Sequence, residues 1–103
     1  MEEMELICFQ IISAVGTARS SYIEAIQEAK KGNFERAEEL IKEGAEVFVQ
    51  GHHAHFKLIQ QEASGQAVIP TLMLMHAEDQ LMSADSFKII AEEFIEVYKN
   101  TRK

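Results

Sequence analysis

The chain has 103 residues, 17 acidic against 10 basic side chains and a formal net charge of −7 at neutral pH. A length near 100 residues fits one domain, and a hydrophobic fraction of 47% is typical of a globular protein rather than a disordered one. The negative charge argues against nucleic acid as a partner, because a surface that follows phosphates is basic.

Targeting and redox signals are consistent with a cytoplasmic protein. The N-terminal MEEMEL is acidic and lacks the basic region of a signal peptide. No apolar run reaches about 18 residues, so we expect no direct membrane insertion. The single cysteine, Cys8, cannot form an internal disulfide, which fits a reducing compartment.

Two joints divide the chain into three segments that favour helix. At the first joint, Gly32 suits the left-handed residue that follows a helix, and Asn33 is predicted to cap the next helix. At the second joint, Gly65 and Pro70 bracket a loop. The predicted helices cover residues 3–31, 33–63 and 71–100 of a single domain over residues 1–103.

Each segment carries apolar or small residues at alternating spacings of four and three. Sustained over about four repeats, this pattern predicts long helices that pack as in a coiled coil. Short joints make neighbours antiparallel, so the predicted fold is all-α, an antiparallel three-helix hairpin or bundle. Gly44 and Gly51 are expected to let helices approach closely. The first helix offers Met4, Cys8, Ile11, Val15, Ala18, Tyr22, Ala25 and Ala29. The third offers Met73, Ala77, Gln80, Ala84, Phe87, Ile90 or Ala91, Phe94 and Val97.

The third helix also has a second apolar stripe, which we call the outer stripe. A three-helix monomer has only one interior, so a second stripe predicts a partner, and a symmetric homo-oligomer is the simplest one. Asp79 then lies at an interface between copies. The outer stripe consists of Leu72, Met75, Asp79, Met82, Ser86 and Ile89.

The segment LMLMHAEDQLM places polar groups inside this apolar helix. His76 shares a helical face with Asp79 and Gln80, three and four residues later, whereas Glu78 points elsewhere. Two interpretations stay open. His76 is either a core histidine with one satisfied hydrogen bond, or a nucleophile or metal ligand, because neutral imidazole serves both purposes.

Standard metal and nucleotide motifs are missing from the sequence. None of the four histidines has a glutamate three residues before it, there is no HExxH, and one cysteine cannot form a thiolate zinc site. His52 and His55 share a face with His53 nearby, but without an acid at helical spacing a dedicated metal site there is disfavoured. With no glycine-rich phosphate loop, a histidine that carries a chemical group is the remaining chemistry.

The segment Leu72 to Met82 resembles the phosphorylation-site segment LLxVHAQDHLM of the lactose/cellobiose-type IIA components of the bacterial sugar phosphotransferase system. The upstream GHHAHFKLIQQEA is similar to their AHxxQTxLIQxEA helix. The resemblance implies a homotrimer in which His76 accepts a phosphoryl group from the phosphocarrier HPr and passes it to a cysteine of the IIB component. The sugar would be a β-linked disaccharide such as cellobiose, chitobiose or lactose.

The resemblance also assigns the neighbouring residues. Asp79 matches an acid that meets its symmetry mates on the trimer axis around a divalent cation, with Mg²⁺ expected, and His52 matches a histidine that lines the site. Gln80 replaces a second histidine and can still donate a hydrogen bond to the phosphoryl group. Glu78 replaces glutamine, and we expect this replacement to be harmless because Glu78 lies off the His76 face. The alternative is a structural or regulatory helical oligomer with a metal-plugged interface and no phosphotransfer.

Overall fold

The computed structural model describes residues 3–101, which form three α-helices and no strand. The helices are α1, Glu3–Lys30; α2, Phe34–Ala63; and α3, Leu72–Thr101. Contacts between α2 and α3 join His55 to Glu78 and Glu38 to Lys99, so these two helices are antiparallel. The three-helix prediction is confirmed, and every helix end lies within one residue of its predicted position.

The central helix of the bundle is α1. It packs along both other helices, whereas α2 and α3 contact each other much less. Seven of the eight positions predicted for its core stripe are buried, and Met4 is half-buried. The periodic pattern therefore identified the packed face of α1 correctly.

Among the described helices, α1 alone is long and apolar enough by composition to cross a bilayer. Core helices of bundles share that property. The buried row of α1 residues, from Cys8 to Ala29, packs against α2 and α3. We interpret α1 as the core helix of the bundle.

Glycine closes both joints. Gly32 and Gly65 have φ angles of 89° and 94°, the left-handed region that glycine adopts without strain. The predicted cap by Asn33 is wrong, because its side chain makes no capping hydrogen bond to α2. Instead its Nδ2 donates to Oε1 of Glu28 at 3.1 Å, which ties the joint back to α1.

Two glycines of α2 allow close contact with α1, as predicted. A Cβ at position 44 would lie 2.6 Å from Cε1 of Tyr22, and one at position 51 would lie 2.8 Å from Cγ1 of Val15. Real Cβ atoms do not approach ring or methyl carbons so closely. Gly44 therefore makes room for the Tyr22 ring, which is fully buried in the core.

The predicted core stripe of α3 is only partly right. Ala77, Ala84 and Ala91 are buried, but Ile90, Phe94 and Val97 are 43–52% exposed. The reason is that α3 packs mainly on one helix, α1, so only a narrow row is covered, made of these three alanines with Leu74 and Ile95. The apolar residues beside that row stay outside.

The outer stripe of α3 is exposed in the single chain. Leu72 and Met82 keep 80% and 67% of their surface, and Met75 and Ile89 keep more than half. Contiguous exposed apolar surface of this kind marks an interaction site in soluble proteins. That a second and third copy of the chain cover it stays a prediction.

Candidate functional site

Thr71 fixes the start of α3 and with it the position of His76. The Oγ1 of Thr71 accepts a hydrogen bond from the backbone N–H of Leu74 at 3.1 Å, and its carbonyl oxygen accepts one from Met75 at 3.0 Å. A threonine in this position satisfies donors that the first turn would leave free. His76 therefore begins the second turn of a well-capped helix.

The His76 imidazole is exposed, and no side chain among residues 3–101 forms a hydrogen bond, ion pair or ring contact with it. The alternative of a core histidine with a satisfied hydrogen bond is therefore wrong. In the single chain the imidazole is therefore accessible to solvent and to a docking protein. An accessible neutral imidazole nitrogen is a competent nucleophile.

The other three histidines lie on α2 and have different surroundings. His55 is half-buried and its Nε2 contacts a carboxylate of α3. His52 is exposed and its ring stacks on Phe48 with centroids 6.4 Å apart. His53 lines a groove of about 710 Å³ between α1 and α2. The structure shows no hydrogen bond from His52 to the α3 segment, so its role in lining the site stays a prediction.

Asp79 is exposed on the outer stripe between Met75 and Met82. Its carboxylate forms no ion pair or hydrogen bond with any other side chain of the described region. Within residues 3–101, no three histidine, cysteine, aspartate or glutamate side chains come together as metal ligands. A metal site at Asp79 would therefore need carboxylates from other copies of the chain.

Gln80 is bound to α1 through a residue that the sequence analysis did not single out. Nη1 of Arg19 donates to Oε1 of Gln80 at 3.4 Å, and Cζ of Arg19 lies 5.6 Å from the ring centroid of Phe87. The position of Arg19 depends on how α1 and α3 align along their axes, which periodicity does not determine. The structure thus adds a cation beside Gln80, which lies one helical turn from His76.

Glu78 lies off the face of His76, as expected, but it is not without contacts. Its Oε2 lies 2.8 Å from Nε2 of His55, which links α3 to α2. This pair could have been suspected by comparing the segments GHHAHFKLIQQEA and LMLMHAEDQLM with the family segments. Both His55 and Glu78 stand where the family segments have glutamine, so two replacements at a distance in sequence meet in space.

Cys8 lies in the core beside this link. Burial raises the pKa of its thiol, and the nearby carboxylates of Glu78 and Glu5 raise it further. A thiol that resists ionisation is a poor nucleophile. Cys8 is therefore a packing residue, as its place on the α1 stripe predicted.

A family model described as "PTS system, Lactose/Cellobiose specific IIA subunit" matches residues 6–99 of the chain. The chain belongs to this family. The Bacillus subtilis lichenan-specific phosphotransferase enzyme IIA component is 46% identical over 98 residues, which cover 95% of this chain and 89% of that protein. The lactose-specific EIIA component of Staphylococcus epidermidis is 35% identical, with 95% and 94% covered.

A solved structure supports the same assignment. The crystal structure of the cellobiose-specific enzyme IIA from Bacillus anthracis superposes with a TM-score of 0.94 at 41% identity, and the match covers 97% of this chain and 92% of that one. The resemblance inferred from the HAED segment is confirmed. The chain is a IIA-type phosphotransferase component with the three-helix fold of its family.

Proposed function

We propose that this IIA component carries a phosphoryl group on His76 between HPr and a IIB component. The observation that carries the proposal is the His76 imidazole itself, exposed, without a partner among the described side chains, and placed at the capped end of α3. A carrier needs an acceptor nitrogen that two different proteins can reach in turn. Most of the catalysis then comes from positioning and from stabilising the charge of the phosphoryl group.

The transfer conserves atoms and electrons. A ring nitrogen of His76 attacks the phosphorus of the HPr phosphohistidine, a new P–N bond forms, the old one breaks, and its electron pair returns to the HPr ring. In the second step the thiolate of a IIB cysteine attacks the same phosphorus, a P–S bond forms, and the electron pair returns to His76. The chain itself supplies the nitrogen, with Gln80 one turn away to donate to a phosphoryl oxygen.

The names of the relatives support a proposal for the substrate class. Their names specify lichenan, lactose and cellobiose. We infer that this chain serves the uptake of a β-linked disaccharide, such as cellobiose, chitobiose or lactose, from the cytoplasmic side of the membrane. Specificity for the sugar need not reside in this chain, so the identity of the sugar is tested with the IIB and membrane components.

The labelling experiment for His76 uses phosphorylated HPr and intact-mass analysis. The wild type should gain one acid-labile phosphoryl group, and His76→Ala should gain none while keeping its helicity. His53→Ala is the matched control, because His53 is also exposed but lies on the α1–α2 groove. Undiminished labelling of His76→Ala would move the acceptor to α2. No labelling of the wild type would favour the structural or regulatory oligomer instead.

We also propose that three copies assemble through the outer stripe, with Asp79 of each copy on the trimer axis. The residues fit a shared divalent cation, with Mg²⁺ expected, because Asp79 is exposed and unpaired within the described chain, and one copy cannot supply three ligands. Carboxylate oxygens suit such a cation. When bound, the ion would offset the repulsion between the three carboxylates, while the apolar residues of the outer stripe provide the buried area.

A further inference from the structure

The phosphoryl group on His76 enters an acidic stretch of α3. Between Leu72 and Phe87 the charged side chains of this helix are Glu78, Asp79 and Asp85, and the first basic residue is Lys88. A phosphoryl group adds up to two negative charges at neutral pH. No basic side chain of this stretch compensates that charge, so a compensating cationic side chain would come from another helix or another molecule.

Arg19 is the cation that α1 brings to this stretch. It lies across the Phe87 ring, with Cζ 5.6 Å from the centroid, and its Nη1 donates to the Gln80 side chain. Two contacts, one with the aromatic face and one with the amide, hold a long side chain that is otherwise free to move. Arg19 is half-buried, which strengthens its field relative to a fully solvated charge.

The contact with Arg19 sets the orientation of the Gln80 amide. A guanidinium has only donors, so the atom it meets must be the carbonyl oxygen of the amide. With the oxygen occupied, the NH₂ group is the end of Gln80 left to bind another acceptor. His76 lies one helical turn away on the same face, where a phosphoryl oxygen would be such an acceptor.

We propose that Arg19 is a positioning residue of the phosphoryl site, which holds the Gln80 carbonyl oxygen so that the Gln80 amide donates to the phosphoryl group on His76. The inference rests on the proposed function of His76. It explains how glutamine works at a position where the family segment has histidine. Without Arg19 the amide rotates freely, and either end can face the phosphoryl group.

The test compares single-turnover phosphorylation of His76 by phosphorylated HPr in the wild type and four variants. Arg19→Met keeps an unbranched apolar stem over Phe87 but removes every donor. Gln80→Leu removes the amide, and the third variant combines both changes. Arg36→Met is the matched control, because it also removes one positive charge. Arg36 lies about 30 Å along α2 from His55, which is the α2 residue that contacts Glu78.

Arg19→Met and Gln80→Leu should each slow the transfer by about tenfold, the effect of one hydrogen bond to a charged group, and the double variant should be no slower than the slower single variant. Arg36→Met should transfer at the wild-type rate. The inference would be overturned if the two slowing factors multiplied in the double variant. It would also be overturned if Arg19→Met transferred at the wild-type rate. If the wild type is phosphorylated and Arg19→Met reacts at the same rate, only this inference is refuted. If the wild type is not phosphorylated at all, the carrier function is refuted.

A second readout does not depend on rate. In nitrogen-15 spectra the Gln80 side-chain amide signals should shift when His76 of the wild type is phosphorylated, and they should shift much less in Arg19→Met. Helicity and thermal melting of each variant show that the fold is intact. An equal shift in both proteins would mean that Gln80 binds the phosphoryl group without help from Arg19.

Discussion

Replacing Tyr22 by phenylalanine should stabilise this protein. The Tyr22 side chain is fully buried, and its hydroxyl has no hydrogen-bond partner among residues 3–101. A buried polar group without a partner costs about 1–3 kcal/mol. Phenylalanine keeps the ring that fills the space beside Gly44 and removes only the hydroxyl. Tyr22→Phe should therefore raise the free energy of unfolding at pH 7 by about 1 kcal/mol, the lower end of that range.

The same substitution should change how stability depends on pH. Burial raises the pKa of Tyr22 from its ordinary value of 10 to about 12, and the charges of Asp85 and Glu92 add to the effect. The unfolded chain therefore ionises this phenol at lower pH than the folded chain. The wild type keeps the associated stability below pH 10 and loses it as the pH rises to 12. Phenylalanine has no such loss, so its advantage should widen in this window.

The assay is urea unfolding followed by circular dichroism at one protein concentration, at pH 7 and at steps between pH 10 and 12. Tyr98→Phe is the control, because Tyr98 is only half-buried and stacks on Phe94 at the edge of the bundle. Measuring differences between variants cancels the titration of lysines. If Tyr22→Phe is less stable than wild type at pH 7, the hydroxyl has a bonding partner and the reasoning is refuted.

Four further predictions concern three single residues and one pair of contacting residues. Gly44→Ala should lower the free energy of unfolding by about 1–3 kcal/mol, because the new methyl group meets the buried Tyr22 ring, although alanine has the better helix propensity. If urea unfolding shows a more stable variant, the ring moves freely. His55→Gln and Glu78→Gln should each lower the free energy of unfolding by less than about 1 kcal/mol, and the double variant should lose less than the sum of the two single losses. Additive losses in this double-mutant cycle would contradict the contact. Asp79→Leu should keep the oligomer in sedimentation and lose the effect of chelator on thermal melting; dissociation to monomers would refute the axial placement. Gln80→His should transfer its phosphoryl group to IIB at an equal or faster rate in single-turnover assays, since imidazole also offers one acceptor and one donor.

The sequence was sufficient where the structure is local or periodic. Gly32 and Gly65 located the joints, and the four-three spacing found the packed face of α1 from Cys8 to Ala29. It was insufficient on α3, because a helix that packs on one neighbour covers a narrower row than the pattern suggests, and Phe94 stays outside.

For the candidate site too, the sequence predicted what lies within one helix and missed the contacts between helices. The proposed acceptor, His76, was identified from a motif within one helix and lies exposed on α3. Arg19 and the His55–Glu78 link were missed, because each depends on the axial alignment of two helices. Polar side chains that meet across helices carry little periodic signal of their own, although the paired departures from the family segments at His55 and Glu78 were readable.

The interior of the bundle is built from small side chains. Nine of the eighteen buried apolar residues in the described region are alanine, while Leu72, Met75, Met82 and Phe94 of α3 are exposed. Since the free energy of burial grows with apolar area, a single copy keeps much of its stabilising surface in contact with water. Folding and assembly should therefore be one equilibrium, in which dilution alone lowers the melting temperature. For the proposed oligomer the amount of protein in the cell, and not only its sequence, would determine how much of it is folded.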